Sequence, residues 1–247
     1  MAEKIPQRVD LLSAVLEAHG GEARFNEIKS IEATFNLSGL LFDSKGYPGH
    51  RQLTVTIDPR SPQAFFKGLG NNVDELWAYI PEKTWIENAD GSVIQRRDSP
   101  RAAFAHLNSE SVWDDMHLLY FVGYALWNYL TAPFLFKRPG FKTRELENHV
   151  ENSEMWRVLE VTFPDDIPTH NKIQRFYYDK KFMLRRLDYA PDVLGGPNAS
   201  QYVFDHQDVG GLVFPTLRRV VPEAPSSVFG PRLVLIDFCD IVVRQHL

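Results

Sequence analysis

The segment Ser111 to Phe136, SVWDDMHLLYFVGYALWNYLTAPFLF, constrains the fold more than any other part of this 247-residue chain. Its apolar residues recur on most sides of a helix, so that helix must be buried or must cover something apolar. It does not read as a membrane span. Trp113, Asp114, Asp115 and His117 interrupt its front and Asn128 and Pro133 its rear, leaving fewer than the roughly 18 consecutive apolar residues a spanning helix needs. A lid or plug over a curved sheet is expected.

The flanking sequence supplies the sheet. Val9, Leu12, Val15, Leu16 and Ala18 follow helical spacing, and His19-Gly20-Gly21 ends that helix where a left-handed cap is wanted; a short helical turn over Ala23 to Ile28 follows. From Ile31 the period changes to two, with Ile31, Ala33, Phe35 and Leu37 alternating with Glu32, Thr34, Asn36 and Ser38. Period-two segments continue to Arg97 and resume from Lys142 to Arg244, separated by turn sequences such as NADGS. Between them, Ser99-Pro100 opens a helical region through Leu107, and a second helix runs from about Val112 to Leu130, capped by Ser111. The expected fold is mainly β: a curved antiparallel sheet or open barrel of about eleven strands, with an N-terminal helix and a central helical lid. No repeat or long linker divides the chain, so residues 1–247 read as a single domain with a helical insertion over about 99–136.

A net charge of -5 argues against a nucleic-acid partner, because Arg96-Arg97, Arg185-Arg186 and Arg218-Arg219 are too short to make a phosphate-binding patch. The single cysteine, Cys239, excludes an internal disulfide and a cysteine-based zinc site. His106, His117, His170 and His206 with Asp114, Asp165 or Asp166 lack HxH or HExxH spacing, so no metal is expected. Gly68-Leu69-Gly70 is a bare GxG read as a turn, and no P-loop, dinucleotide fingerprint or GxSxG elbow is present, so no cofactor is expected either. The amino-terminal text has charge and amphipathic spacing in place of an apolar signal core, and the chain reads as cytoplasmic.

Two constellations carry candidate chemistry. On a helix Asp114 and His117 share a face, so the carboxylate could orient the ring for acid/base work; equally, Asp114 and Asp115 sit in the favourable first turn of a helix capped by Ser111, with His117 a surface or satisfied residue. The second comprises Arg175, Arg186, Asp188, Tyr202 and His206 on consecutive strands. If Lys180 to Phe182 form a hairpin loop, with Phe182 forced towards a left-handed conformation, Gln174 faces Asp188 and Phe176 faces Arg186. These groups line either the concave wall or the solvent face.

The order of helix, strands, helical insertion and strands resembles the unclosed barrel of bacterial lipoprotein carriers, the LolA/LolB-like superfamily. LEAHGGEARFNEIKSI, RFYYDKKFMLRRLDY and YVFDHQDVGGLVFPTLRRV resemble soluble members of that group. The resemblance implies an apolar ligand held between the concave sheet and the helices. On that reading the protein binds a hydrophobic small molecule or acyl chain, with Trp77, Trp85, Phe121, Tyr124, Trp127, Phe134, Arg175, Tyr178, Tyr202 and Phe204 as candidate lining. The alternative is a cofactor-independent isomerase, cyclase, lyase or hydrolase in the same cavity, with Asp114 or His117 on the lid facing Asp188 or His206 on the sheet. Oligomeric state has no signature in the sequence.

Overall fold

In the computed structural model, which describes residues 9–222 and 230–245, the alternation at Ile31 becomes the middle of the sheet. Strand β1 (Ile28–Ser38) buries Ile31, Ala33, Phe35 and Leu37 on one face. It opens a meander through β2 (Arg51–Asp58), β3 (Gln63–Lys67), β4 (Leu76–Ile80) and β5 (Lys83–Glu87) to an edge at β6 (Val93–Asp98). A second run begins at the opposite edge with β7 (Lys142–Glu145). It continues through β9 (Glu154–Thr162), β10 (Ile173–Tyr178), β11 (Leu184–Tyr189), β12 (Ala199–Val209) and β13 (Leu212–Pro222) to β14 (Val234–Gln245), while short β8 (His149–Glu151) pairs only with β9. The two halves join where the first strand meets the last, with Ile31 opposite Val243 and Leu37 opposite Ile236. All ladders are antiparallel, and the path ends at β6 and β7 without closing. Fourteen strands are present among the described residues, against about eleven expected, in part because the segment read as Lys142 to Val150 breaks into β7 and β8.

The chain crosses from one open edge to the other through its helices. A 3-10 turn at Pro100–His106 replaces the expected first helix, and α4 (Asp115–Thr131) then packs against β3, β4 and β5. Among the described residues α1 (Leu11–Ala18), α2 (Glu22–Asn26) and α3 (Leu40–Ser44) are the other α-helices; α3 was not visible as a helix in the sequence because Gly39 and Leu41 continue the period-two pattern of β1. Every residue of α4 from Met116 to Thr131 is buried, as its all-round apolar sequence requires. Gly123 permits the closest approach: a Cβ there would lie 2.4 Å from Cγ of Tyr79 on β4.

The cap is Asp114 instead of Ser111. Its carboxylate accepts the His117 amide at 3.0 Å while the His117 ring returns to the Asp114 amide, making a reciprocal capping box.

The β10–β11 hairpin departs from simple counting. Phe182 has φ 62°, as expected, and the Asp179 carboxylate accepts the amides of Lys181 and Met183 at 2.8 and 3.1 Å. Tyr178 pairs with Leu184, but Tyr177 pairs with Arg186, so Arg185 is an extra residue and the strand bulges. Arg175 therefore faces Asp188, and Tyr177 faces Arg186, one position from the expected register.

Apolar side chains segregate into two clusters. The larger lies between the sheet and α4; the smaller, Trp156, Val158, Tyr177, Tyr202 and Val221, lies on the other face of the C-terminal strands. Among the described residues no helix is long and apolar enough to cross a membrane.

Candidate functional site

The lid does not fill the concave side completely. At one end a cavity of about 460 Å³ opens between α3, the 107–113 segment, the 191–199 segment and the ends of β13 and β14. Its walls include Leu41, Leu107, Trp113, Phe121, Val193 and Val234. Two other hollows of similar size, about 400 and 420 Å³, are bounded by charged groups such as Asp43 and Arg232, or Glu82, Asp165 and Asp166. The first is distinguished by its apolar walls and falls within the roughly 300–1,000 Å³ usual for small-molecule sites.

Lys45 sits at the wall of this cavity and is only 3% exposed. Burial pushes its pKa down, and its ammonium donates to the carbonyls of Asn108, Ser109 and Ser111 at 3.5, 2.6 and 3.1 Å. The return bond from the Trp113 amide to the Lys45 carbonyl, 2.9 Å, fixes α3 and the 107–113 segment together at the rim. Lys45 is thus spent on backbone, and among the described residues no carboxylate or imidazole lines the cavity.

Two smaller voids continue inward along α4, each of about 20 Å³, room for about one water. The middle void shares Phe121, Tyr189, Val220 and Val234 with the mouth cavity, and shares Tyr129 and His170 with the innermost one. His170 is therefore the partition. Its Nδ1 meets the Tyr124 hydroxyl at 3.0 Å, its Nε2 meets the Tyr129 hydroxyl at 2.7 Å, and its ring stacks on Tyr189 at 4.1 Å. A neutral ring can donate through one nitrogen and accept through the other, which matches two phenols. Burial, aided by the positive charge of Arg101, drives its pKa down to about 3 and keeps it neutral.

Beyond this partition Arg218 lines the innermost void. It donates to Gln201 Oε1 at 2.9 Å and to the Tyr129 carbonyl at 3.1 Å, and its guanidinium lies 4.8 Å from the centre of the Tyr129 ring.

The sequence-selected residues are distributed as follows. Phe121 lines the mouth and middle voids, Tyr178 lines the innermost, and Tyr124 holds the partition. Trp77 and Trp127 are in the main core but line none of the voids described; Trp127 turns to β2, donating to the Asp58 carbonyl at 2.8 Å. Phe134 stacks on Phe25 at 4.3 Å. Trp85 pairs with Ala78, one residue away from inward-facing Trp77 and Tyr79, and lies half-buried under Lys83. Arg175 is exposed near Glu160, and Tyr202 and Phe204 join the smaller cluster on the outer face.

The four titratable candidates do not converge. Asp114 and His117 touch at 2.7 Å beside β6, where Arg97 clamps Asp114 at 2.9 and 2.5 Å. Burial pushes the Asp114 pKa up, but Arg97 and the His117 amide and ring outweigh it and hold it below the usual carboxylate range. Asp188 is on the outer face, taking Arg186 at 2.9 Å and the Ser200 hydroxyl at 2.8 Å. The same Arg186 bonds Glu151, which also accepts from Tyr202 at 2.8 Å and meets His149 at 3.0 Å, so this network pins β8 to the sheet. His206 lies near His19 and Arg218, and burial with those positive neighbours lowers its pKa to about 4. Among the described residues no His, Cys, Asp and Glu group could hold a metal.

Sequence reasoning passed over Lys45, Gln201 and Arg218, and treated His170 only as a scattered metal candidate. Gln201 and Arg218 fall on the same inward face as Val203 and Val220, a polar pair inside an apolar stripe, which was the available signal.

No family model matches the sequence, and no curated protein matches it. Solved structures do. A LolA superfamily protein from Nitrosomonas europaea superposes with a TM-score of 0.53 at 12% identity, covering 95% of this chain and 94% of that one. The chain has the LolA-like fold. A DUF1329 family protein from Desulfovibrio piger superposes on this LolA-like chain with a TM-score of 0.52 at 13% identity, covering 96% and 93%. The likeness extends over nearly the whole length, so the lid segment and both halves of the sheet are part of it.

Proposed function

We propose that this protein binds a hydrophobic small molecule or acyl chain in the cavity under the lid. The observation that carries the reading is the cavity of about 460 Å³ with apolar walls, continuous in its lining with two further voids along α4. Burying apolar ligand surface there is worth roughly 25 cal/mol per Å², enough to drive binding without a charged anchor at the mouth. The LolA-like fold supports it, since the resemblance implies an apolar ligand held between the concave sheet and the helices. Acid/base turnover finds no comparable support, because Asp114 and His117 cap α4, Asp188 and His206 stand apart from them, and none of the four lines the mouth.

A titration with Nile red, a neutral apolar dye, tests the reading. Saturable binding at one dye per chain is expected. Leu194→Trp, which puts bulk at the half-buried rim, should weaken it by about tenfold or more, whereas Trp85→Ala on the outer face should leave it unchanged. Equal binding by wild type and a folded Leu194→Trp would place the dye elsewhere and count against the cavity.

A further inference from the structure

The innermost void contains a charge with nothing to balance it. Arg218 is 3% exposed, and among the described residues no carboxylate forms an ion pair with it. Its two partners, Gln201 Oε1 and the Tyr129 carbonyl, are neutral, and its Nε–H is buried with no acceptor. Burying a guanidinium without a counter-charge costs several kcal/mol, and folded chains normally meet that cost with a carboxylate. The outer face of the same sheet does so: Arg186 has both Glu151 and Asp188. On the inner face the nearby His19 and His206 supply no counter-charge, since burial lowers the pKa of both and keeps them neutral.

Resting on the reading of the cavity as an apolar-ligand site, we propose that the ligand is a long-chain monocarboxylate whose head group seats on Arg218, with its tail running along α4 to the mouth. The path is set by the shared linings. Leaving Arg218 and Tyr129, it passes His170, then Leu126, Val220 and Phe121, and reaches Trp113 and Leu107. After the partition its middle section is apolar, as a hydrocarbon tail requires. The charge sets the head group. Among the described residues Arg218 is the only Lys or Arg lining either inner void, so one negative charge is neutralised, and a phosphate dianion would remain half unpaired. The free Nε–H edge of a guanidinium is also the edge that grips a carboxylate. Because the innermost void now has room for about one water, the Tyr129–His170 partition must swing aside for the head group to enter.

Calorimetric titration of the full chain with dodecanoate and with dodecanol, both below their aggregation limits at pH 8, separates head group from tail. Wild type is expected to prefer dodecanoate by about 10- to 100-fold, the scale of a hydrogen bond to a charged group. In Arg218→Gln that preference should collapse. Equal affinity of wild type for both ligands overturns the head-group site while the cavity reading stands; binding of neither overturns both. A folded Arg218→Gln that keeps the preference overturns the assignment to Arg218. Should the variant not fold, the carboxyl carbon of [1-13C]dodecanoate bound to wild type decides: titration at lower pH than the free acid is expected, and an unchanged or raised midpoint overturns the proposal.

Discussion

His170 shows how one buried side chain couples the interior to pH. Held between two tyrosine hydroxyls and stacked on a third ring, it stays neutral in the fold with a pKa near 3, against 6.5 in an unfolded chain. The folded value is the lower one, so between about pH 6.5 and 3 the unfolded state binds the extra proton and stability falls as pH falls. Above pH 6.5 the contribution is complete. Each pH unit inside that window costs at most about 1.4 kcal/mol from this residue. Urea unfolding at a series of pH values should show the loss, and in His170→Asn the dependence between pH 6 and 4 should flatten by about 1 kcal/mol per unit. The same slope in the variant would mean that His19 and His206, also pushed down by burial, carry the effect.

At the scale of elements, α4 is the part of the fold most plainly written in the sequence, because a stretch apolar on every side can only be a buried helix. Its contact with β4 is set by the absence of a side chain at Gly123. Gly123→Ala gains about 1 kcal/mol of helix propensity, but its Cβ would meet the Tyr79 ring at 2.4 Å, and overpacking of that kind costs about 1–3 kcal/mol. A lower melting temperature is expected, and a raised one would show that α4 can move off the sheet. The faces of the strands were harder to read. Tyr177 and Tyr178, or Tyr202 and Val203, are all suitable for a core, and both faces of β10 to β12 are in fact buried, one by α4 and one by the smaller cluster. Alternation cannot choose between two apolar faces. The bulge at Arg185 then moves Asp188 opposite Arg175, so the expected wall of Asp188, Tyr202 and His206 becomes an outer ion network and an isolated histidine. The Asp114–His117 contact was legible, but its role as the cap was not, because Ser111 offered an equally good capping side chain three residues earlier; Arg97, which clamps it, comes from a strand no local pattern connects to α4.

For the whole molecule, the pairing of first strand with last makes two meanders into one sheet, and the segment between the open edges has to cross the concave side. That topology places an apolar helix over an apolar wall and leaves the mouth cavity where α3 and the 107–113 segment bridge the end. The order of helix, strands, central helices and strands was readable from periodicity, apart from α3 and the break between β7 and β8. The cavity was not, since its lining is assembled from six separate parts of the chain, residues 40–45, 107–113, 121, 189–199, 220–222 and 233–234, brought together by long-range contacts. The central claim is that the space under the lid holds an apolar ligand, and a crystal structure grown with dodecanoate tests it most directly. Density for the chain is predicted between Phe121, Val220 and Val234, reaching the mouth at Leu107. Well-ordered dodecanoate confined to the outer face, with the voids along α4 unchanged, would contradict it.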